Sequence, residues 1–175
     1  MKFSLKSIAT LSAVSALVVA PIVAGARPAA AQTAGMDGSY VGAGISAGVT
    51  SGDGQDSQFG GTIQGRLQVP NTPISARGAV LFTDDTSAIV PTLTYDIPVS
   101  DRANVYAGAG YSFVDSDGLQ ASPLGNQDAF VLTAGAETEV APRVVVFGDA
   151  KLGFDAYQDS SNPAVALQLG AGFRF

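Results

Sequence analysis

The sequence predicts an all-β protein: an eight-stranded, antiparallel, up-and-down transmembrane β-barrel. Three observations carry that prediction. Beyond residue 31, apolar and polar residues alternate with period two, and no helical stripe interrupts them. The connections between the alternating runs are tight at one end and mostly longer at the other. The aromatic residues of the apolar faces gather at strand ends, leaving an aliphatic middle.

Residues 1–31 read as a cleaved signal peptide. Lys2 and Lys6 form a basic start, Ile8 to Ala24 a largely apolar run, and "AAAQ" (29–32) a small-x-small site after Ala31. A retained membrane helix is the competing reading; Pro21 and the Ala-rich exit favour cleavage and export through the Sec route. Residues 32–37 are then a short periplasmic N-terminal tail, and 38–175 the barrel. Cleavage removes Lys2, Lys6 and Arg27 from nine basic residues but none of the fifteen acidic ones, so the mature chain carries −9. That balance argues against nucleic acid as a partner. There is no cysteine, hence no disulfide framework or lipid-anchored cysteine.

Eight runs read as strands: 39–50, 59–69, 74–83, 86–99, 103–115, 129–140, 144–157 and 164–175. At about ten to fourteen residues they suit tilted membrane-spanning strands. Tight turns fall at "PNTP" (70–73), "SDR" (100–102) and "APR" (141–143). The other end carries "SGDGQDSQ" (51–58), "DD" (84–85), "SDGLQASPLGNQD" (116–128) and "QDSSNP" (158–163).

Each strand has one apolar, charge-free face. In the first, Val41, Ala43, Ile45, Ala47 and Val49 oppose Gly42, Gly44, Ser46 and Gly48; in the last, Val165, Leu167, Leu169, Ala171, Phe173 and Phe175 oppose Gln168, Gly170, Gly172 and Arg174. Period two alone does not say which face points inward. The aromatics do: Phe59, Phe82, Tyr111, Phe113, Phe130 and Phe154 lie near the long-loop end, and Tyr95, Phe173 and Phe175 near the short-turn end. Two belts flanking an aliphatic band match two membrane interfaces, so the apolar face is expected to face lipid.

The polar faces then line a lumen. Eight strands leave an interior just wide enough for side chains to fill. The charges there nearly balance, with Arg66, Arg77, Lys151 and Arg174 against Asp96, Glu137, Glu139, Asp149 and, at the end of its strand, Asp155, as a confined lumen requires. The turn "PNTP" pairs Val69 with Ile74, and the same register sets Arg66 opposite Arg77. Two adjacent guanidiniums call for carboxylates, and the expectation is an arginine–carboxylate plug in the short-turn half. The register also places Tyr106 beside Asp96, within hydrogen-bonding reach. Small residues higher up (Thr62, Thr83, Val90, Gly110, Ser112 and Thr133) leave room for a shallow outward-facing cavity.

Other motifs carry less. "YVGAGIS" (40–46), "YAGAGYS" (106–112) and "LGAGFR" (169–174) repeat a GxG pair, but no helix follows, so a dinucleotide loop is not indicated. Their glycines are expected to make room for Tyr106, Phe147 and the arginines. "DSDG" (115–118) lacks the further ligands and distal Glu of a calcium loop. The outer acids Asp53, Asp56, Asp84, Asp85, Asp115, Asp117, Asp128 and Asp159 read as a solvated rim. Histidine is absent, which excludes Ser-His-Asp catalysis and His-based metal sites. Neither an enzyme nor a cofactor is expected.

With these features in place, the chain resembles the small eight-stranded outer-membrane β-barrels of the OmpA, OmpX and OmpW type. The resemblance covers about residues 36–175 and is most specific at the C-terminus. The family's assembly signal runs polar-x-Gly-x-x-aromatic-x-aromatic, and Gln168, Gly170, Phe173 and Phe175 fill it. It implies location in the cell outer membrane, contact with its lipids, and handling by the barrel-assembly machinery and periplasmic chaperones. A monomer with a structural or surface role in the envelope is expected. A narrow channel for small ions or solutes and a soluble periplasmic ligand-binding barrel are the alternatives.

Overall fold

A computed structural model describes residues 35–50, 58–84, 86–115, 122–158 and 162–175. The expected signal peptide, the cleavage site after Ala31 and the loop acids Asp53, Asp56, Asp85, Asp117 and Asp159 lie outside the described residues.

The described chain forms eight strands: β1 (Tyr40–Gly48), β2 (Phe59–Gln68), β3 (Ile74–Phe82), β4 (Ser87–Ser100), β5 (Ala103–Asp115), β6 (Ala129–Ala141), β7 (Val144–Phe154) and β8 (Ala164–Arg174). Each pairs antiparallel with the next, and β1 pairs with β8 to close the barrel. Closure leaves no unpaired sheet edge, the condition for a β-structure to sit in hydrocarbon.

The tight turns follow from their residues. In "PNTP" the left-handed backbone falls on Asn71 (φ 58°), a residue that tolerates it, and Val69 N–H donates to Ile74 O at 3.0 Å. That sets the β2–β3 register, with Arg66 opposite Arg77. In the β6–β7 turn Arg143 takes φ 65°, and the Glu139 carboxylate accepts its N–H at 2.9 Å. Register shifts at Pro98/Ser100 and Glu139/Ala141 take up the extra residue beside two of the short turns.

The seventh strand ends earlier than the periodicity suggests. Asp155 adopts φ 51°, and Ala156 and Tyr157 leave the ladder to pack with Ala129 and Ala164. Ala156 keeps the apolar parity and Tyr157 does not, yet both are buried in an interior cap and not in a strand.

Parity decides the faces. In β3, Ser75, Arg77, Ala79 and Leu81 are buried while Ile74, Ala76, Gly78 and Phe82 are exposed; β4 repeats the pattern from Ala88 to Ile97. The exposed set is the apolar one. Ile45, Ile63, Leu67, Ile89, Leu93 and Leu169 are each at least half exposed, and Phe59 and Phe175 reach 69% and 70%. In water, exposing each such side chain forgoes roughly 1.5–3 kcal/mol. The surface makes sense against lipid. The aromatics assigned to the belts are all exposed: Phe59, Phe82, Phe113, Phe130, Phe154 and Phe173 at or near strand ends, Phe175 just past β8, and Tyr95 and Tyr111 further inside β4 and β5.

Candidate functional site: an ion-paired, capped lumen

Arg66 on β2 and Arg77 on β3 reach across the lumen, and each contacts the same two carboxylates. Arg66 Nη2 lies 2.7 Å from Asp96 Oδ2, and Arg66 Nη1 lies 3.1 Å from Glu137 Oε1. Arg77 Nη2 lies 3.0 Å from Asp96 Oδ1, and Arg77 Nη1 lies 2.8 Å from Glu137 Oε2. The result is a closed ring, Arg66–Asp96–Arg77–Glu137, whose side chains are at most 7% exposed. A buried ring is stable only if its remaining donors and acceptors are also met. Here Arg66 Nε donates to Ser75 Oγ and Arg77 Nε to Thr94 Oγ1, both at 3.0 Å. The Ser75 hydroxyl donates to Asp96, and Asn104 Nδ2 donates to Glu137 Oε1 at 3.2 Å.

Tyr106 links the ring to a second pair. The Arg77 guanidinium stacks 3.6 Å from the centroid of the Tyr106 ring. Although Tyr106 is the cross-strand neighbour of Asp96, its hydroxyl donates to Asp149 Oδ2 at 2.9 Å. The expected Tyr106–Asp96 hydrogen bond is thus replaced, because Ser75, Thr94 and both arginines occupy the Asp96 oxygens. Asp149 pairs in turn with Lys151 Nζ at 2.9 Å. Arg66, Arg77 and Lys151 thereby balance Asp96, Glu137 and Asp149. Glu139 and Arg174 stand apart: they pair with each other at 3.0 Å near the short-turn rim, with the Arg174 side chain 31% exposed.

The ring has a lid at each end that the strand pattern did not announce. At the short-turn end Met36, only 2% exposed, packs with Tyr40, Val145 and Phe147. Its N–H donates to Asn104 Oδ1 at 3.0 Å, and its carbonyl accepts from Asn104 Nδ2 at 2.8 Å and Arg66 Nη1 at 3.1 Å. The stretch read as a periplasmic tail therefore contributes a cap. At the long-loop end Leu124, fully buried, enters an apolar cluster with Leu81, Val90, Val131 and Ala166. Of the small residues expected to line a shallow cavity there, Val90 packs in this cluster.

The lumen glycines have two roles. A Cβ on Gly42 or Gly170 would come within 2.8 Å or 2.5 Å of the Phe147 ring, and one on Gly135 within 2.6 Å of Tyr106. Gly108 and Gly110 instead lie against the β4 backbone, where a Cβ would meet the Leu93 and Pro91 carbonyl oxygens at 2.0 Å. Gln168 is buried in the lumen, its Oε1 accepting from Thr62 Oγ1 at 3.1 Å. Phe173 and Phe175 point outward at the short-turn end. Among the described residues no group of acidic side chains is placed to hold a metal ion.

A closed antiparallel barrel with an apolar outer band and an ion-paired interior defines the class: a membrane-spanning β-barrel. The chain belongs to the outer membrane protein beta-barrel domain family, whose sequence profile matches residues 15–175. Solved structures with this fold include a Neisserial protein, surface protein A (NspA), at 18% identity and TM-score 0.54, covering 79% of this chain and 98% of that one. The attachment invasion locus protein Ail of Yersinia pestis, in complex with the heparin analogue sucrose octasulfate, matches at 17% identity and TM-score 0.52 over 80% of this chain and all of that one. A de novo designed transmembrane β-barrel matches at 12% identity and TM-score 0.54, over 79% and 96% of the two chains. A comparison with curated proteins found no match.

Proposed function

We propose that this barrel has a structural or surface role in the outer membrane, with a lumen closed to ions and solutes, and acts as a monomer without catalysis. The observation that carries this reading is the buried Arg66–Asp96–Arg77–Glu137 ring, in which every ion contacts two of the opposite sign. An ion entering the lumen would have to break contacts that are already charge-balanced and desolvated. Met36 and Leu124 support the same reading from the two ends.

For biogenesis, Gln168, Gly170, Phe173 and Phe175 serve as the segment recognised by the barrel-assembly machinery after periplasmic chaperones deliver the exported chain. Phe173 and Phe175 then stay at the periplasmic lipid interface. The sulfated ligand of Ail is not carried over, because the loops 51–58, 84–85, 116–128 and 158–163 contain Asp but no Lys or Arg to meet sulfates.

Cell fractionation with gel mobility tests the reading. The protein is expected in the outer membrane, migrating faster unboiled than boiled. Release by osmotic shock would support the soluble ligand-binding alternative instead.

A further inference from the structure

Of the basic residues beyond the expected signal peptide, Arg66, Arg77 and Lys151 are held in the buried network. The remaining ones, Arg102, Arg143 and Arg174, all lie at the short-turn end. Arg102 closes the β4–β5 turn and Arg143 the β6–β7 turn, each directly before the next strand.

These arginines are not spread around the rim; Glu139 gathers them in one sector. Its N–H donates to Arg102 O at 2.8 Å, its Oε1 accepts from Arg143 N–H at 2.9 Å, and its Oε2 lies 3.0 Å from Arg174 Nη2. Arg174 N–H also donates to Arg143 O at 2.8 Å. The Arg174 guanidinium is occupied by Glu139 and by the Asp37 carbonyl, which accepts from Nη1 at 3.0 Å. Arg102 and Arg143 differ. Both are exposed, and among the described residues neither guanidinium has a hydrogen-bond or ion-pair partner. With Asp101 of the β4–β5 turn counted, the sector sets Arg102, Arg143 and Arg174 against Glu139 and Asp101, an excess of one positive charge. The Asp37 carboxylate is engaged elsewhere, accepting from Gln68 Nε2 of β2 at 3.3 Å.

An apolar wall adjoins the two free guanidiniums. Val140 and Val144 flank the β6–β7 turn, Phe173 is the cross-strand partner of Val144, and all three are exposed. Arg102 and Arg143 therefore stand where the lipid-facing band ends, at the level of headgroup phosphates.

We propose that Arg102 and Arg143 form a binding site for the phosphodiester headgroup of an acidic phospholipid in the short-turn leaflet, with its acyl chains along Val140, Val144 and Phe173. The charges match: a phosphodiester esterified to an uncharged alcohol carries the one negative charge that the sector lacks. Guanidinium forks suit its oxygens. A zwitterionic phospholipid brings its own cation and gains less. The site goes beyond the closed-lumen role and rests only on membrane insertion, which unboiled gel mobility reads separately.

The probe is phosphatidylglycerol, compared with phosphatidylcholine, each chain-spin-labelled in nanodiscs of phosphatidylcholine holding the whole barrel. Electron spin resonance of the motionally restricted fraction gives their relative association. The wild type should prefer phosphatidylglycerol by about fivefold or more, the contribution of one or two arginines near an anionic group. High salt should erase that preference. Arg102→Gln with Arg143→Gln should bring the ratio to about one with gel mobility unchanged, since both side chains are exposed and unpaired. Equal association of the two lipids with the wild type, or a preference that survives in the double variant, overturns the site. Headgroup-labelled phosphatidylglycerol should broaden the NMR amide signals of Arg102 and Arg143 more than that of Phe82 at the other end; the reverse order also overturns it. Inorganic phosphate should leave those amides unshifted in phosphatidylcholine discs. Shifts equal to those given by phosphatidylglycerol would assign the site to a free anion and overturn the lipid source.

Discussion

Replacing Arg77 by alanine removes one corner of the ion ring. Two contacts go, at 3.0 Å to Asp96 and 2.8 Å to Glu137, together with the stacking on Tyr106. Asp96 and Glu137 then share Arg66 alone, leaving one buried negative charge uncompensated. Breaking a buried pair by deleting one partner costs roughly 3–5 kcal/mol, and a desolvated cation–π contact adds about 2 kcal/mol. The expected loss is therefore about 5 kcal/mol or more. Urea titration of the barrel folded into short-chain lipid vesicles, read by gel mobility, measures it. The double variant Arg77→Met, Glu137→Gln removes one charge of each sign and leaves Arg66–Asp96 neutral. It should recover at least about 2 kcal/mol relative to the sum of its two single variants, within the usual range for residues sharing a network. A cost for Arg77→Ala below about 1 kcal/mol, as for a solvated surface pair, or strict additivity in the cycle, would refute the ring.

Three further outcomes follow from the same geometry. Gly170→Ala should destabilise the folded barrel by about 1–3 kcal/mol in the same titration, because its Cβ would meet the Phe147 ring at 2.5 Å and the Ala43 carbonyl oxygen at 2.6 Å. Deleting Phe175, which is 70% exposed, should slow membrane assembly in a pulse-chase experiment while changing urea stability by under about 1 kcal/mol; equal assembly rates count against the assembly signal. Asn104→Ala should free the Met36 cap, seen as faster hydrogen exchange at the Met36 amide, since Asn104 holds both its N–H and its carbonyl. Unchanged protection there would mean that packing on Tyr40 and Phe147 suffices.

Much of this architecture was legible because strand side chains alternate strictly. Parity alone separates Arg174 from Phe173 and Phe175, and the "PNTP" turn alone puts Arg66 opposite Arg77. Adjacent-strand register does not report contacts across the lumen, which depend on barrel tilt and stagger. That is why the carboxylates assigned together as one plug divide in the structure: Asp96 and Glu137 join the ring, Asp149 turns to Lys151 and Tyr106, and Glu139 pairs with Arg174. Tyr40 and Asn104 share the lumen parity and were accessible to the same reading. Met36 and Leu124 were not. They lie outside the alternating runs, where no periodicity says which way a side chain points, and their burial depends on where the turn Ser122–Gly125 and the segment before β1 fold back.

Single-channel recording of the purified protein in planar bilayers tests most directly whether the lumen is closed. The intact ring with its Met36 and Leu124 caps predicts a flat baseline with no resolved conductance steps across the accessible voltage range. Regular, reproducible steps from the folded wild-type barrel would contradict it and establish the narrow-channel alternative.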